Sequence, residues 1–536
     1  MLNFDSNHYP YTSRRSAVYA RRGMVATSQP LAAQAGLEVL QAGGNAIDAA
    51  IAAAAALTVV EPTANGIGGD AFALIWHQGK LHGLNASGAA PLAISIAKLN
   101  AAGHQSMPKY GALPVTVPGA PGAWASMAER LGSLPLARSM AGAITLAQEG
   151  YPLSPVVAFA WQQAHKLFRG EFKDAHFQPW FDTFSIDGRA PRAGEIWRSQ
   201  GHADTLRTIA ADGAASFYRG ALAEKTEAFV RAAGGYLDAA DLAAYQPQWV
   251  DPVSCNYRGY DVWEIPPNGH GLVALLALNI LKGFEFDQRD SLQTYHRQIE
   301  AIKLAYADGL AHIADSGHMR VSVRDLLSDA YADERRKLVG ARAALPLAGQ
   351  PSRGGTVYLS TVDDQGNMVS FIQSNYMGFG SGLVVPGTGI ALHNRGNNFT
   401  LDAAHPNCLA PGKRPYHTII PGFLTKDGEA VGPFGVMGAF MQPQGHVQMV
   451  MNTVDFGLNP QASLDAPRWE WENGNQVSIE HGTAEHLLRG LRGLGHEAAW
   501  SANQLGFGRG QIIWRDSRGV LCGGTEPRTD GCVAAW

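Results

Sequence analysis

The stretch Gly354-Gly355-Thr356-Val357-Tyr358-Leu359-Ser360-Thr361-Val362-Asp363 decides the fold. From Thr356 onward it is β-branched and aromatic, as a strand requires. Asp364-Gln365-Gly366-Asn367 then supplies turn residues, and Met368-Val369-Ser370-Phe371-Ile372-Gln373 a second extended run. A β-hairpin that begins at Thr356 is therefore predicted. The preceding segment, 341–355, is rich in Pro, Gly and Ala and ends in a Gly pair, so a loop or linker is expected there. A Thr hydroxyl is a poor nucleophile unless a base lies within hydrogen-bond reach, and one such base is the residue's own N-terminal amine. An α-amine titrates at about 7.7–8.0, close to working pH. Thr356 is internal, so a free amine requires a cut between Gly355 and Thr356. A linker feeding a strand headed by Thr has the layout of a self-cleaving precursor. A plain loop entering an edge strand has the same layout.

Composition narrows the alternatives. The chain has 536 residues, with 42 Lys and Arg against 46 Asp and Glu, a formal charge of −4. That balance argues against a nucleic-acid partner held by a basic surface. Cys255, Cys408, Cys522 and Cys532 are far apart and form no CxxC pair, so neither a structural zinc nor a disulfide framework is expected. The N-terminus lacks a secretory apolar region, and the apolar run Ala49 to Val60 is too short to span a bilayer. A soluble cytoplasmic protein with no membrane partner is the expectation. GxSxG, GxxxxGK[ST] and HExxH are absent. The Gly-rich pieces Gly378 to Gly382 and Gly506 to Gly510 lack a strand-to-helix context, so a dinucleotide reading is weak.

Local signals place the other elements. Ser28 is expected to cap a helix with Pro30 in its first turn, ending at about Ala42 before Gly43-Gly44. Asn45 caps the next, with Asp48 three residues on, and Ala71 to Trp76 reads as a strand. Helical periods recur over Ala123 to Leu131, Leu272 to Leu281, Tyr295 to His312 and about Pro443 to Phe456.

Ordered along the chain are Gly43-Gly44-Asn45-Ala46-Ile47-Asp48, Glu61-Pro62, Gly66-Ile67-Gly68-Gly69, Val117-Pro118-Gly119, Phe217-Tyr218-Arg219-Gly220, Lys413-Arg414-Pro415, Gly435 to Gly438, and Pro527-Arg528 with Asp530-Gly531. With Thr356, Asp363 and Gly366-Asn367 they make the chain, from about Gly23 to Trp536, resemble the γ-glutamyltransferase family of N-terminal-nucleophile hydrolases. The resemblance implies an α+β fold, a four-layer αββα sandwich, autoprocessed into two chains. A large segment, 1–355, and a small one, 356–536, would remain together as a heterodimer in one intertwined fold. It further implies Gly355 and Thr356 as the cleavage site, Thr356 as nucleophile and Ser374 as the hydroxyl supporting the new amine. The backbone of Gly438 and Ala439 would form the oxyanion hole, Ala439 being tolerable only if its φ and ψ suit.

The substrate positions depart from the transferase pattern. The Arg that grips a glutamate carboxylate falls at Ser87, and the Asp for its ammonium at Asn398. Two Ser fall at His417 and Thr418, and an Asn becomes Tyr376. Ser cannot replace a bidentate Arg, and an ammonium facing Asn lacks its counter-charge. The stretches Asn394 to Phe399, His405-Pro406-Asn407, Lys413 to Thr418 and Met441 to His446 resemble instead the amidohydrolase-like subgroup, with its glutaryl-type acylases and oxamate amidohydrolase. Arg395, His417 and His446 are the local cation candidates; Arg395 pairing within the fold, and His446 capping its helix, are the structural alternatives. The implied activity is hydrolysis of a small carboxylic acid's amide, oxamate to oxalate plus ammonia being the specific expectation, with no metal or organic cofactor needed. A γ-glutamyl hydrolase or transferase acting on glutathione-like substrates, a glutaryl-type acylase, a non-catalytic binding relative and an oxidoreductase are the competing readings.

Overall fold

The computed structural model describes residues 5, 8–13, 15–345 and 355–536. Two seven-stranded antiparallel sheets stack face to face, with helices on both outer faces, giving the expected αββα layers. The first sheet runs Cys532–Ala535, Gly23–Thr27, Gly355–Asp363, Met368–Tyr376, Asp70–His77, Lys80–Ala86 and Gln248–Val250. The second runs Val18–Ala20, Leu521–Thr525, Arg509–Arg515, Glu429–Met437, Gly422–Lys426, Tyr260–Glu264 and Val253–Tyr257. Both sheets draw strands from either side of Thr356.

The predicted hairpin is the centre of the first sheet. Its strands are longer than the sequence suggested, starting at Gly355 and ending at Tyr376. The turn is tied down by Asp363. Its carboxylate accepts from the Gln365 and Asn367 N–H groups (3.0 and 2.9 Å) and from the Asn367 side chain (2.8 Å). It also accepts from the Ala46 N–H at 2.9 Å, so the hairpin turn is fastened to the start of the helix Ala46–Val60. Every residue of that Ala-rich helix is buried, and Asn45 with Asp48 forms its capping box. The expected cap at Ser28 does not form. The preceding helix is Pro30–Gln41 with Gln29 at its N-cap, and the Ser28 hydroxyl donates instead to Glu61.

On the second sheet lie Gly271–Leu281, fully buried, and Gln442–Val454, with Leu292–His312 packed on the first of them, each within a few residues of its sequence period. Residues 346–354 of the expected linker lie outside the described residues, while 341–345 carry no helix or strand and Gly355 already belongs to the hairpin. All four cysteines are free thiols. Among the described residues no helix is long and apolar enough to cross a membrane.

Candidate active site

A register irregularity at the head of the hairpin shapes the site. Gly355 pairs with Tyr376, but Val357 pairs with Gln373, so Thr356 faces Ser374 and Asn375 across a bulge. Thr356 Oγ1 lies 3.0 Å from Ser374 Oγ, both buried. Ser374 Oγ also accepts the Tyr376 N–H at 2.7 Å. Tyr376 has φ +72°, a strained value for an aromatic residue and a common feature of functional sites.

Ser374 sits directly opposite Asp70 in the neighbouring strand. Asp70 is the residue that sequence reasoning missed, and it organises the predicted substrate positions. Arg395 binds it side-on, Nε to Oδ2 at 2.9 Å and Nη2 to Oδ1 at 3.2 Å. His417 Nε2 lies 2.7 Å and His393 Nδ1 3.1 Å from Oδ2. Burial alone would raise the Asp70 pKa, but Arg395 and His417 outweigh it and hold the carboxylate well below its usual range. Arg395 Nη1 donates to Thr418 Oγ1 at 2.7 Å, and its guanidinium lies 4.5 Å from the Tyr376 ring centre. Tyr376 OH donates to Asn398 Oδ1 at 2.6 Å. Tyr376, Asn398, His417 and Thr418 thus form one connected group around Arg395 and Asp70. Ser87 stands apart in a knot with Asn85 and Asn268, donating to Asn85 Oδ1 at 2.6 Å. It joins the group only through Asn268, whose carbonyl accepts the His417 N–H at 2.9 Å.

Two expected cations are neutral. Burial, assisted by Arg395, lowers the His417 pKa to about 4. Its ring donates from Nε2 to Asp70 while Nδ1 accepts the Ile419 N–H. His446 is lowered to about 3 by burial and does not cap its helix; Nδ1 meets Glu264 Oε1 at 2.6 Å. Burial pushes the Glu264 carboxyl well above its usual value, so burial disfavours the charged form of both partners. Arg395 pairs with Asp70 within the fold. The signal for this pairing was a lone acidic residue heading the fully buried strand Asp70 to Trp76.

Gly438 and Ala439 form the turn between the strand Glu429–Met437 and a short 3-10 helix, Ala439–Met441, that runs into the helix Gln442–Val454. Helix starts leave N–H groups without intrahelical partners and carry the positive end of the dipole, which suits a developing oxyanion. Gly438 has φ +145°, glycine territory, and Ala439 has φ +51°, left-handed and strained for an alanine. Gly438 borders a cleft of about 710 Å³, which Met377 and Gly378 also line.

One described trio has metal-ligand atoms within 4.8 Å of one another: His296, Glu300 and His496. Glu300 is already paired there, its Oε1 2.7 Å from Lys303 Nζ. His296 Nδ1 meets His496 Nε2 at 2.8 Å, and Nε2 meets the Gly340 carbonyl at 2.9 Å.

Comparison with known proteins places this geometry. Residues 32–536 match the family model described as gamma-glutamyltranspeptidase. A crystal structure of cephalosporin acylase from Bacillus halodurans superposes with a TM-score of 0.96 at 62% identity, covering 99% of each chain. The oxamate amidohydrolase proenzyme of Klebsiella pneumoniae is 36% identical over 97% of this chain and 100% of its own. The glutathione hydrolase-like YwrD proenzyme of Bacillus subtilis is 34% identical over 96% of this chain and 99% of its own.

Proposed function

Since the chain belongs to the gamma-glutamyltranspeptidase family of amide-cleaving enzymes, we propose that it is a self-processing N-terminal-threonine amidohydrolase acting on the amide of a small carboxylic acid. The observation that carries this reading is the buried contact of 3.0 Å between Thr356 Oγ1 and Ser374 Oγ at the bulged head of the central hairpin. In processing, Thr356 Oγ attacks the Gly355 carbonyl, the peptide bond becomes an ester, and water hydrolyses it. The products are a chain of 1–355 and a chain of 356–536 with a free α-amine. In turnover that amine takes the Thr356 hydroxyl proton as Oγ attacks the substrate carbonyl. The N–H groups of Gly438 and Ala439 hold the oxyanion, and the proton passes to the leaving nitrogen. Ammonia or an amine departs, and water activated by the same amine releases the acid from its ester on Thr356.

The acyl side is close-fitting. The Tyr376 ring is buried against Arg395 with its hydroxyl on Asn398, and Arg395, the local positive charge, is already matched by Asp70. A two-carbon acyl group suits this better than a glutamyl group, which would need a carboxylate grip at Ser87 and a counter-charge at Asn398. Oxamate is our specific substrate proposal, supported by the relative of that name. An acylase acting on a larger amide is the second reading, favoured by the cleft beside Gly438 and by the 62%-identical cephalosporin acylase.

Intact mass of the purified protein beside a Thr356→Ala variant tests the nucleophile. Two fragments meeting at Gly355/Thr356, absent from the variant, are expected. Ammonia release from oxamate, set against γ-glutamyl and glutaryl amides, then tests the acyl group. A single uncut 57 kDa chain that survives incubation would sink the reading.

A further inference from the structure

Most polar side chains around Asp70 already have partners. Arg395 gives its three nitrogens to Asp70 and Thr418, and His417 uses both of its ring nitrogens. Asn85, Ser87 and Asn268 bind one another. None of these can grip a substrate carboxylate without giving up a bond. Two neighbours differ. The Tyr416 hydroxyl and both ring nitrogens of His270 are buried, and none of the three meets a partner at hydrogen-bond geometry. Folded proteins leave few buried polar groups in that state, because each has lost its water for nothing.

Their placement is specific. The His270 ring meets Tyr416 and Phe440 edge-on, at 5.6 and 5.8 Å between ring centres, and Tyr416 stacks on Phe440 at 6.0 Å. Phe440 follows Ala439 in the oxyanion turn. Asn398 ties Tyr416 to Tyr376: its Nδ2 donates to the Tyr416 carbonyl at 3.0 Å while Oδ1 accepts the Tyr376 hydroxyl. The His270 N–H donates to the His417 carbonyl at 2.9 Å, and Asn268, two residues back, binds Ser87 Oγ at 3.2 Å. His270 and Tyr416 thus link the oxyanion turn to Ser87 and to His417 with Thr418, the places where the resemblance puts a carboxylate grip. Burial raises the Tyr416 phenol well above its usual value, and burial with His417 lowers the His270 imidazole well below its own. Each therefore stays neutral and keeps a hydrogen to donate.

Resting on the amidohydrolase reading above, we propose that Tyr416 and His270 are specificity residues that bind the second carboxylate of a dicarboxylic monoamide, the role that Ser87 cannot fill. The phenol O–H and the imidazole N–H donate to its two oxygens, and hydrogen bonds to an ionised acceptor are the strong ones. A diamide puts an amide N–H where one of those oxygens should accept, so a donor faces a donor.

The test sets the monoamides of oxalic and of glutaric acid against the corresponding diamides, which have the same shape without the charge. The diamides are at least as reactive, so a preference for a monoamide reports binding. The processed enzyme is expected to favour the better monoamide over its diamide by about tenfold or more in kcat/KM, mostly through KM. Tyr416→Phe, which keeps the ring on Phe440, should lose most of that preference. His270→Gln, which keeps an N–H donor, should retain more of it than His270→Leu. The unfolding midpoint of Tyr416→Phe should equal or exceed the parent's, because the hydroxyl has no bond to lose. The product dicarboxylate should raise the parent's midpoint more than that variant's, a readout independent of turnover. No preference in the parent, a preference that survives Tyr416→Phe, or a clearly lower midpoint in that variant would overturn the subsite and leave the amidohydrolase standing. A fully processed enzyme that cleaves none of the four amides, and that neither dicarboxylate stabilises, would overturn both.

Discussion

Arg395 enters the core with its charge already matched. Two of its nitrogens bind Asp70 and a third binds Thr418, and both members of the ion pair are inaccessible to water. Replacing Asp70 by Asn keeps the shape but leaves a buried guanidinium without a counter-charge. Breaking a buried pair in that way destabilises by about 3–5 kcal/mol. The Asp70→Asn variant should therefore unfold at markedly lower denaturant concentration than the parent. His417 should lose the hydrogen bond that fixes its tautomer. An unfolding midpoint equal to the parent's would mean that Arg395 finds other partners and that Asp70 does not organise the group. The sequence offered pairing of Arg395 within the fold as an alternative, but not its partner, because Asp70 and Arg395 are 325 positions apart. Only the oddity of a carboxylate at the head of a buried strand marked the place.

At the scale of elements, the hairpin and its neighbouring helix stand or fall together. Asp363 accepts four hydrogen bonds, three within its own turn and one from the first N–H of the helix Ala46–Val60. Hydrogen bonds to a charged group contribute about 1.5–3 kcal/mol each, and bonds sharing one carboxylate are not additive. Asp363→Ala is expected to lower stability by roughly 2–4 kcal/mol, read from the shift in denaturant midpoint. A shift under about 0.5 kcal/mol, the size of an ordinary surface change, would show that the turn holds without its carboxylate. The hairpin and the Asn45–Asp48 cap were legible because their signals are local: turn residues between extended runs, and an Asn followed three places on by an Asp. Ser28 failed for the converse reason. The helix starts at Pro30 with Gln29 in the cap position, and Ser28, one residue too early, turns its hydroxyl to Glu61, 33 positions away. The bulge opposite Thr356 was likewise hidden, since register depends on which residues the partner strand brings alongside.

Across the whole molecule the buried imidazoles set a response to acid. His417 is lowered to about 4, and His496 to about 3 by burial with help from Lys303 and His296. An unfolded chain protonates both near the ordinary value of 6.5. Below that pH the unfolded state therefore takes up protons that the folded state refuses, and stability falls as pH falls. Each group contributes a slope of up to about 1.4 kcal/mol per pH unit, from below 6.5 down to about 4. His496 carries a second consequence, because its partner His296 belongs to the other side of Thr356. The contact fastens the 340–344 stretch, through the Gly340 carbonyl and the Ala344 N–H on Glu300, to the 356–536 segment. Denaturant midpoints measured at half-unit steps from pH 7 to 4.5, at fixed ionic strength, are expected to fall throughout. In a His496→Gln variant, which cannot titrate, the fall should be shallower by about one proton's slope. Parallel curves for parent and variant would mean that His496 is protonated in the folded chain, and that the contact with His296 is made by a charged ring.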